Sequence, residues 1–339
     1  MLDLQAQIDA VKDGETLELP SGQLELGAPL LLRRPIRLQG SATTLLLRQG
    51  REAVVRLQGA GPFYLVGLRL IYLGEGPARV VWAESGELHV EDCHISGARW
   101  VDDRGLGCGV HFSHESRGSL TFCELFNNDL GVLIDHQSQV RLESNRCYDN
   151  RLAGMRLQGY SRARVSQNEC RANGQAGIWV TGQAWGELEG NRCHSNGTHG
   201  ILLNGQSQSR CLGNEVSQNH HHGLSVEEQA WASLDQQVCE DNGLCGLDIG
   251  GESKVLATAS YCTQNAWHGI QVRDAAWPML WQNRCRHNQH SGVAYYGQSG
   301  GCAKDQWLEE NEQYAVQVSD QSSPSLNNNR CSRNGLSGL

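Results

Sequence analysis

From Asn145 to Leu339 one 23-residue unit repeats without slipping register. Asparagine or a polar substitute opens each unit, at Asn145, Asn168, Asn191, Asn214, Gln237, Ser260, Asn283, Gln306 and Asn329. Two places on stands a small apolar residue: Cys147, Cys170, Cys193, Val216, Cys239, Cys262, Cys285, Leu308 and Cys331. A second asparagine column follows at Asn150, Asn173, Asn196, Asn219, Asn242, Asn265, Asn288, Asn311 and Asn334. Then come a glycine and a short strand, as in Gly-Ile-Trp-Val from 177 and Gly-Leu-Ser-Val from 223, with Ala315 the exception. A fixed period in the twenties with alternation inside each unit describes a solenoid whose rungs are β-strands. The unit is too short for a helix pair and lacks a leucine-rich pattern, which leaves the parallel β-helix.

The columns explain how such a coil closes. An asparagine at one corner of every rung can hydrogen-bond to its copies above and below, satisfying groups that the turn buries. Cysteine serves as a compact interior hydrophobe. On the recurring Asn-x-Cys-x-x-Asn-x-x-x-Gly-Ile-x-Val pattern the chain resembles the right-handed parallel β-helix repeat proteins of the pectate-lyase-like group, often called the carbohydrate-binding and sugar-hydrolase domain. The resemblance covers about residues 86 to 339 and implies a right-handed coil. It leaves function open, because such coils serve lyases, epimerases, hydrolases, adhesins and non-catalytic recognition modules.

A solenoid can hold a chain of 339 residues in one domain, and one domain is expected. Its parts are a cap over 1–15 with a helix near 3–12, irregular first coils over 16–97, an inserted loop over 98–107 that contains Trp100, Asp102, Asp103 and Arg104, and regular rungs over 108–339. The cap covers a strand edge that would otherwise pair with other chains. The last rung stops as its main strand begins, so either continuation of the chain or end-to-end association is expected there. A net charge of −9 without a basic stripe argues against nucleic acid as a partner. There is no apolar leader and no run long enough for a membrane span, so a cytoplasmic protein without a membrane partner is expected. The thirteen cysteines fall mainly in one interior column, which favours reduced thiols over bridges.

In the glycine-led strand the second and fourth residues after the glycine point outward. Glu227, Asp248 and Arg273 then lie on three consecutive rungs, where their heads can converge. Two carboxylates with an arginine could abstract the proton beside a uronate carboxylate and neutralise its charge. A solvated charge cluster is the plainer reading. Just before the glycine stand His199, His222, Cys245 and His268, residue types that zinc or copper accepts. A straight ladder makes no tetrahedron, so corner packing is preferred and no metal or cofactor is expected. The signature stretches of mannuronan epimerases and polygalacturonases are missing. Trp185, Trp231 and Trp277 recur two rungs apart and should form an outward aromatic row, with Trp179 a further ligand-binding candidate. The leading expectation is a non-catalytic recognition scaffold for a protein or saccharide partner; the alternative is a polysaccharide-active enzyme of uronate lyase or epimerase type.

Overall fold

The computed structural model describes residues 3–41, 43–50, 52–74, 76–99 and 107–336. Most of the expected insertion, including Trp100, Asp102, Asp103 and Arg104, lies outside the described residues. The chain is an all-β parallel solenoid of about 13 turns, with one short N-terminal helix. It forms two compact units, residues 1–169 and 170–339. Each coil contributes three strands to three parallel sheets, called here the first-, second- and third-strand sheets.

In residues 1–169 the opening helix spans Leu4–Ala10, with the Asp3 carboxylate accepting from the Ala6 amide at 3.0 Å. Leu4 and Ile8 are buried, and the Gln5 side chain exchanges two hydrogen bonds with the Leu31 backbone. The helix thereby occupies backbone groups that an open strand edge would offer to another chain. The coils that look irregular in sequence are regular in space. Thr16–Glu18, Gly22–Leu26 and Leu30–Leu32 pair in parallel with Ile36–Gln39, Thr44–Arg48 and Glu52–Leu57. Here Leu32, Leu38, Leu46, Leu57, Phe63, Leu65 and Leu70 fill the interior. Aliphatic packing therefore holds register before the asparagine columns begin.

In residues 170–339 one coil contains Trp185–Glu189, Arg192–His194 and Ile201–Leu203. Each strand pairs with its counterpart 23 residues later, as in Trp185 with Gln208, Cys193 with Val216 and Ile201 with Leu224. The asparagine ladder is fully bonded. Asn196 Nδ2 donates to Cys170 O at 3.0 Å and to Asn219 Oδ1 at 2.9 Å, while the Asn196 amide donates to the same Oδ1 at 3.1 Å. Copies repeat this through Asn311. Each such asparagine follows a left-handed residue, for instance Ser195, Gln218 and Asp241 with φ of 56°, 55° and 54°, and this bend turns the chain into the next strand. Cys193, Cys239, Cys262 and Cys285 are buried free thiols. The interior column fails at its end: Cys331 is exposed, because among the described residues no strand stacks beyond Arg330–Ser332.

Candidate functional site

On the third-strand sheet of residues 170–339, a patch of polar and ionisable groups is gathered by one column of the strand and one of the preceding corner. Strands Leu224–Val226, Leu247–Ile249, Ile270–Val272 and Val293–Tyr295 turn Ser225, Asp248, Gln271 and Ala294 away from the core. Their flanking residues add Glu227, Gly250, Arg273 and Tyr296. The corners add His199, His222, Cys245 and His268.

Asp248 is the centre of the patch and has no exposed surface. Its carboxylate accepts from Ser225 Oγ at 2.9 Å, Gln271 Nε2 at 3.0 Å and Arg273 Nη2 at 2.9 Å. Arg273 Nε adds a bond to Asp248 Oδ1 at 3.1 Å, and Nη2 also donates to Glu227 Oε1 at 3.0 Å. The arginine spans two coils to do so because the intervening position is Gly250. A Cβ there would stand 2.6 Å from the guanidinium carbon. Arg273 Nη1 turns outward to the exposed Asp274 at 2.7 Å.

The electrostatics follow from this geometry. Burial alone would raise Asp248, but His222, the Arg273 hydrogen bond and charge, and Ser225 together hold it below the ordinary carboxylate value. Burial lowers His222, and burial followed by the neighbouring His222 and His221 takes His199 down to about 4. Both imidazoles are neutral near pH 7, so Arg273 is the cation that keeps Asp248 ionised there. The Asp248 hydrogen bond is the main cause that raises Arg273. With both oxygens occupied and its affinity for protons reduced, Asp248 acts as a fixed counter-charge that positions Arg273, not as a free base.

The corner histidines have assigned tautomers. The Cys245 amide donates to His222 Nδ1 at 3.2 Å, and the Ser291 amide donates to His268 Nδ1 at 3.1 Å. A backbone N–H can only donate, so each neutral ring carries its proton on Nε2. His222 Nε2 faces Asp248 Oδ2 at 4.0 Å. His268 Nε2 lies 2.9 Å from Tyr296 Oη, so the phenol oxygen accepts there and its own proton stays available to donate. Burial, followed by His290, lowers His268 to about 3. Burial raises Tyr296. Among the described residues no group of three or more His, Cys, Asp or Glu is arranged to hold a metal ion.

The four tryptophans divide between two faces. Trp179 stands on the third-strand sheet and its indole donates to Asn204 Oδ1 at 2.9 Å. Trp185 and Trp231 begin first strands, in register through Gln208. Trp277 lies just before Met279–Trp281, where its ring packs across Gly300. Exposure is 43% at Trp231 and 59% at Trp277, with Trp185 half-buried. The convergence of Glu227, Asp248 and Arg273 was legible from alternation. Tyr296 as the partner of His268 was not, although the shared rung spacing of corner and outward columns was the available signal.

A parallel β-solenoid with an ionised, hydrogen-bonded cluster on one outer sheet defines the class. The family model described as right handed beta helix region matches residues 79–211, 108–238 and 199–339, and the chain belongs to that family. Comparison with curated proteins finds no matching sequence. Among solved structures, the mannuronan C-5 epimerase AlgE6 A-module of Azotobacter vinelandii is similar at 14% identity and TM-score 0.69, covering 96% of this chain and 93% of that one. The periplasmic alginate epimerase AlgG is similar at 14% identity and TM-score 0.60, over 93% and 85%. Pectate lyase Pel9A follows at 11% identity and TM-score 0.51, over 79% and 72%. At these identities the likeness is one of fold.

Proposed function

We propose that the chain is an enzyme acting on an acidic polysaccharide, of uronate lyase or epimerase type, at the third-strand face of residues 170–339. The observation that carries this reading is Arg273, locked by a buried carboxylate beside a phenol whose oxygen already accepts an imidazole N–H. A uronate carboxylate displaces Asp274 from the outward Nη1 and pairs with the guanidinium. That pairing stabilises the negative charge which grows on the carboxylate as the adjacent C–H proton leaves. In elimination Tyr296 reacts as the phenolate held by His268 Nε2–H: it takes the proton from the ring carbon beside the carboxylate and returns it to the glycosidic oxygen as the neighbouring C–O bond breaks; in epimerisation the same carbon regains a proton from solvent on its other face. Asp248 and Glu227 position Arg273 and take no proton themselves. The similar solved structures named above are polysaccharide-active proteins, which supports this reading over a non-catalytic scaffold.

Purified protein incubated with polymannuronate and with polygalacturonate, followed by proton NMR for epimerised or unsaturated residues, tests the reading. Turnover by the wild type is expected, with Arg273→Gln and Tyr296→Phe each lowering it on the order of 100-fold. Absence of turnover on both polymers, or full activity in Arg273→Gln, contradicts it.

A further inference from the structure

The first-strand face of residues 170–339 carries a second arrangement that the proposed chemistry does not use. Its leading outward column reads Trp185, Gln208, Trp231, Lys254, Trp277, Gly300, one residue per coil. Gly300 is where the next side chain would stand, and the Trp277 ring occupies that space: a Cβ at Gly300 would meet ring atoms at 2.4 to 2.7 Å. The indole therefore lies across the coil, one face packed on backbone while 59% of the residue stays exposed. Trp231 borders a surface depression lined with Gln208, Gln229, Glu252 and Lys254.

Beside the row runs an amide ladder in the adjoining turns. Gln183 Nε2 donates to Gln206 Oε1 at 3.0 Å, Gln206 Nε2 to Gln229 Oε1 at 3.1 Å, and Gln229 Nε2 to Glu252 Oε2 at 3.4 Å. Each rung bond fixes one N–H and one lone pair of an exposed amide and leaves the second of each turned to solvent. Partly exposed indoles, with Trp277 lying flat, beside oriented amides offer a sugar what its two surfaces require: an apolar platform for the C–H face and hydrogen-bond partners for the hydroxyl rim.

From this arrangement we infer that the row Trp185, Trp231 and Trp277 docks an extended β-1,4-linked polysaccharide, separately from the third-strand site. The spacing selects the occupant. Successive tryptophans are two coils apart, roughly 9–10 Å at the usual strand separation. An extended β-1,4 chain repeats every second sugar and presents equivalent faces at that interval, so one chain along the solenoid axis meets all three rings. A protein partner has no reason to require one ring every second coil, and the rung between supplies Gln208 and Lys254 as polar contacts instead.

The test is calorimetric titration of the full chain with cellohexaose and with a mannuronate hexamer, using maltohexaose as the α-linked control. Binding of at least one β-1,4 hexamer is expected, much weaker for its dimer and absent for maltohexaose. Trp231→Ala and Trp277→Ala should each weaken it roughly two- to tenfold, with the triple alanine variant losing more than either. Trp231→Phe should retain most of it, and the surface variants should keep wild-type circular dichroism. With cellohexaose, which carries no carboxylate for Arg273, Tyr296→Phe and Arg273→Gln should bind as wild type even where turnover on uronates is lost, which separates this site from the proposed catalytic one. Unchanged affinity in the triple variant, or cellohexaose affinity abolished by Arg273→Gln, overturns the inference. So does absence of glycan binding together with a change of oligomeric state in the tryptophan variants, which would make the row a protein interface.

Discussion

The two units each set an arginine beside an imidazole on their third-strand face, with opposite electrostatic outcomes. In residues 1–169, Arg79 Nε donates to His111 Nδ1 at 2.8 Å, and the guanidinium lies 4.5 Å from the Trp82 ring. Burial first, and then Arg79, takes His111 down to about 3. In residues 170–339, Arg273 faces buried Asp248 instead, and the carboxylate is held ionised. A cation against a neutral ring keeps that ring neutral; a cation against a buried carboxylate fixes a charge pair. Residues 170–339 thus have a charge pair whose arginine retains an outward Nη1, which is the feature the proposed chemistry uses.

Removing Asp248 should break the contrast most severely. Asp248→Ala leaves Ser225 Oγ, Gln271 Nε2 and Arg273 without their common acceptor, and a loss of about 3 kcal/mol in urea unfolding is expected, with turnover abolished. Gly250→Ala is the companion variant because it keeps every charge. Its backbone has no left-handed requirement, yet the added Cβ crowds the Arg273 guanidinium. Stability should fall by about 1–3 kcal/mol, because the displaced guanidinium leaves buried Asp248 less well paired, while kcat/KM falls on the order of 100-fold.

A smaller effect sharpens the other side. His111 has a depressed folded-state pKa, so its neutral form contributes stability that is full above the ordinary histidine value of 6.5 and is lost as pH falls from there toward about 3. Arg79→Gln removes one of the causes of that depression. Titration of ring resonances by NMR should then show His111 rising, and the loss of stability between pH 6.5 and 3 should become shallower. An unmoved His111 would assign the shift to burial alone.

The regular rungs could be read from sequence because the asparagine, cysteine and glycine columns are periodic, and each column has one physical task per coil. The coils before residue 86 offered no such columns, since Leu32, Leu46 and Leu57 hold register by packing that many apolar sequences satisfy. Alternation placed Glu227, Asp248 and Arg273 together. It could not show that Asp248 is wholly buried, which depends on Arg273 crossing the gap at Gly250. Nor could it assign the tautomers of His222 and His268, which are set by backbone amides one coil away. The flat seating of Trp277 likewise depends on Gly300, 23 residues downstream.

The most direct measurement is a crystal structure of Tyr296→Phe soaked with a mannuronate or galacturonate oligomer. A sugar carboxylate within hydrogen-bond distance of Arg273 Nη1, with the ring carbon that bears it facing residue 296, is the expected result. An oligomer found only elsewhere, with Arg273 still bound to Asp274, would contradict the assignment of this face as the place where uronates react.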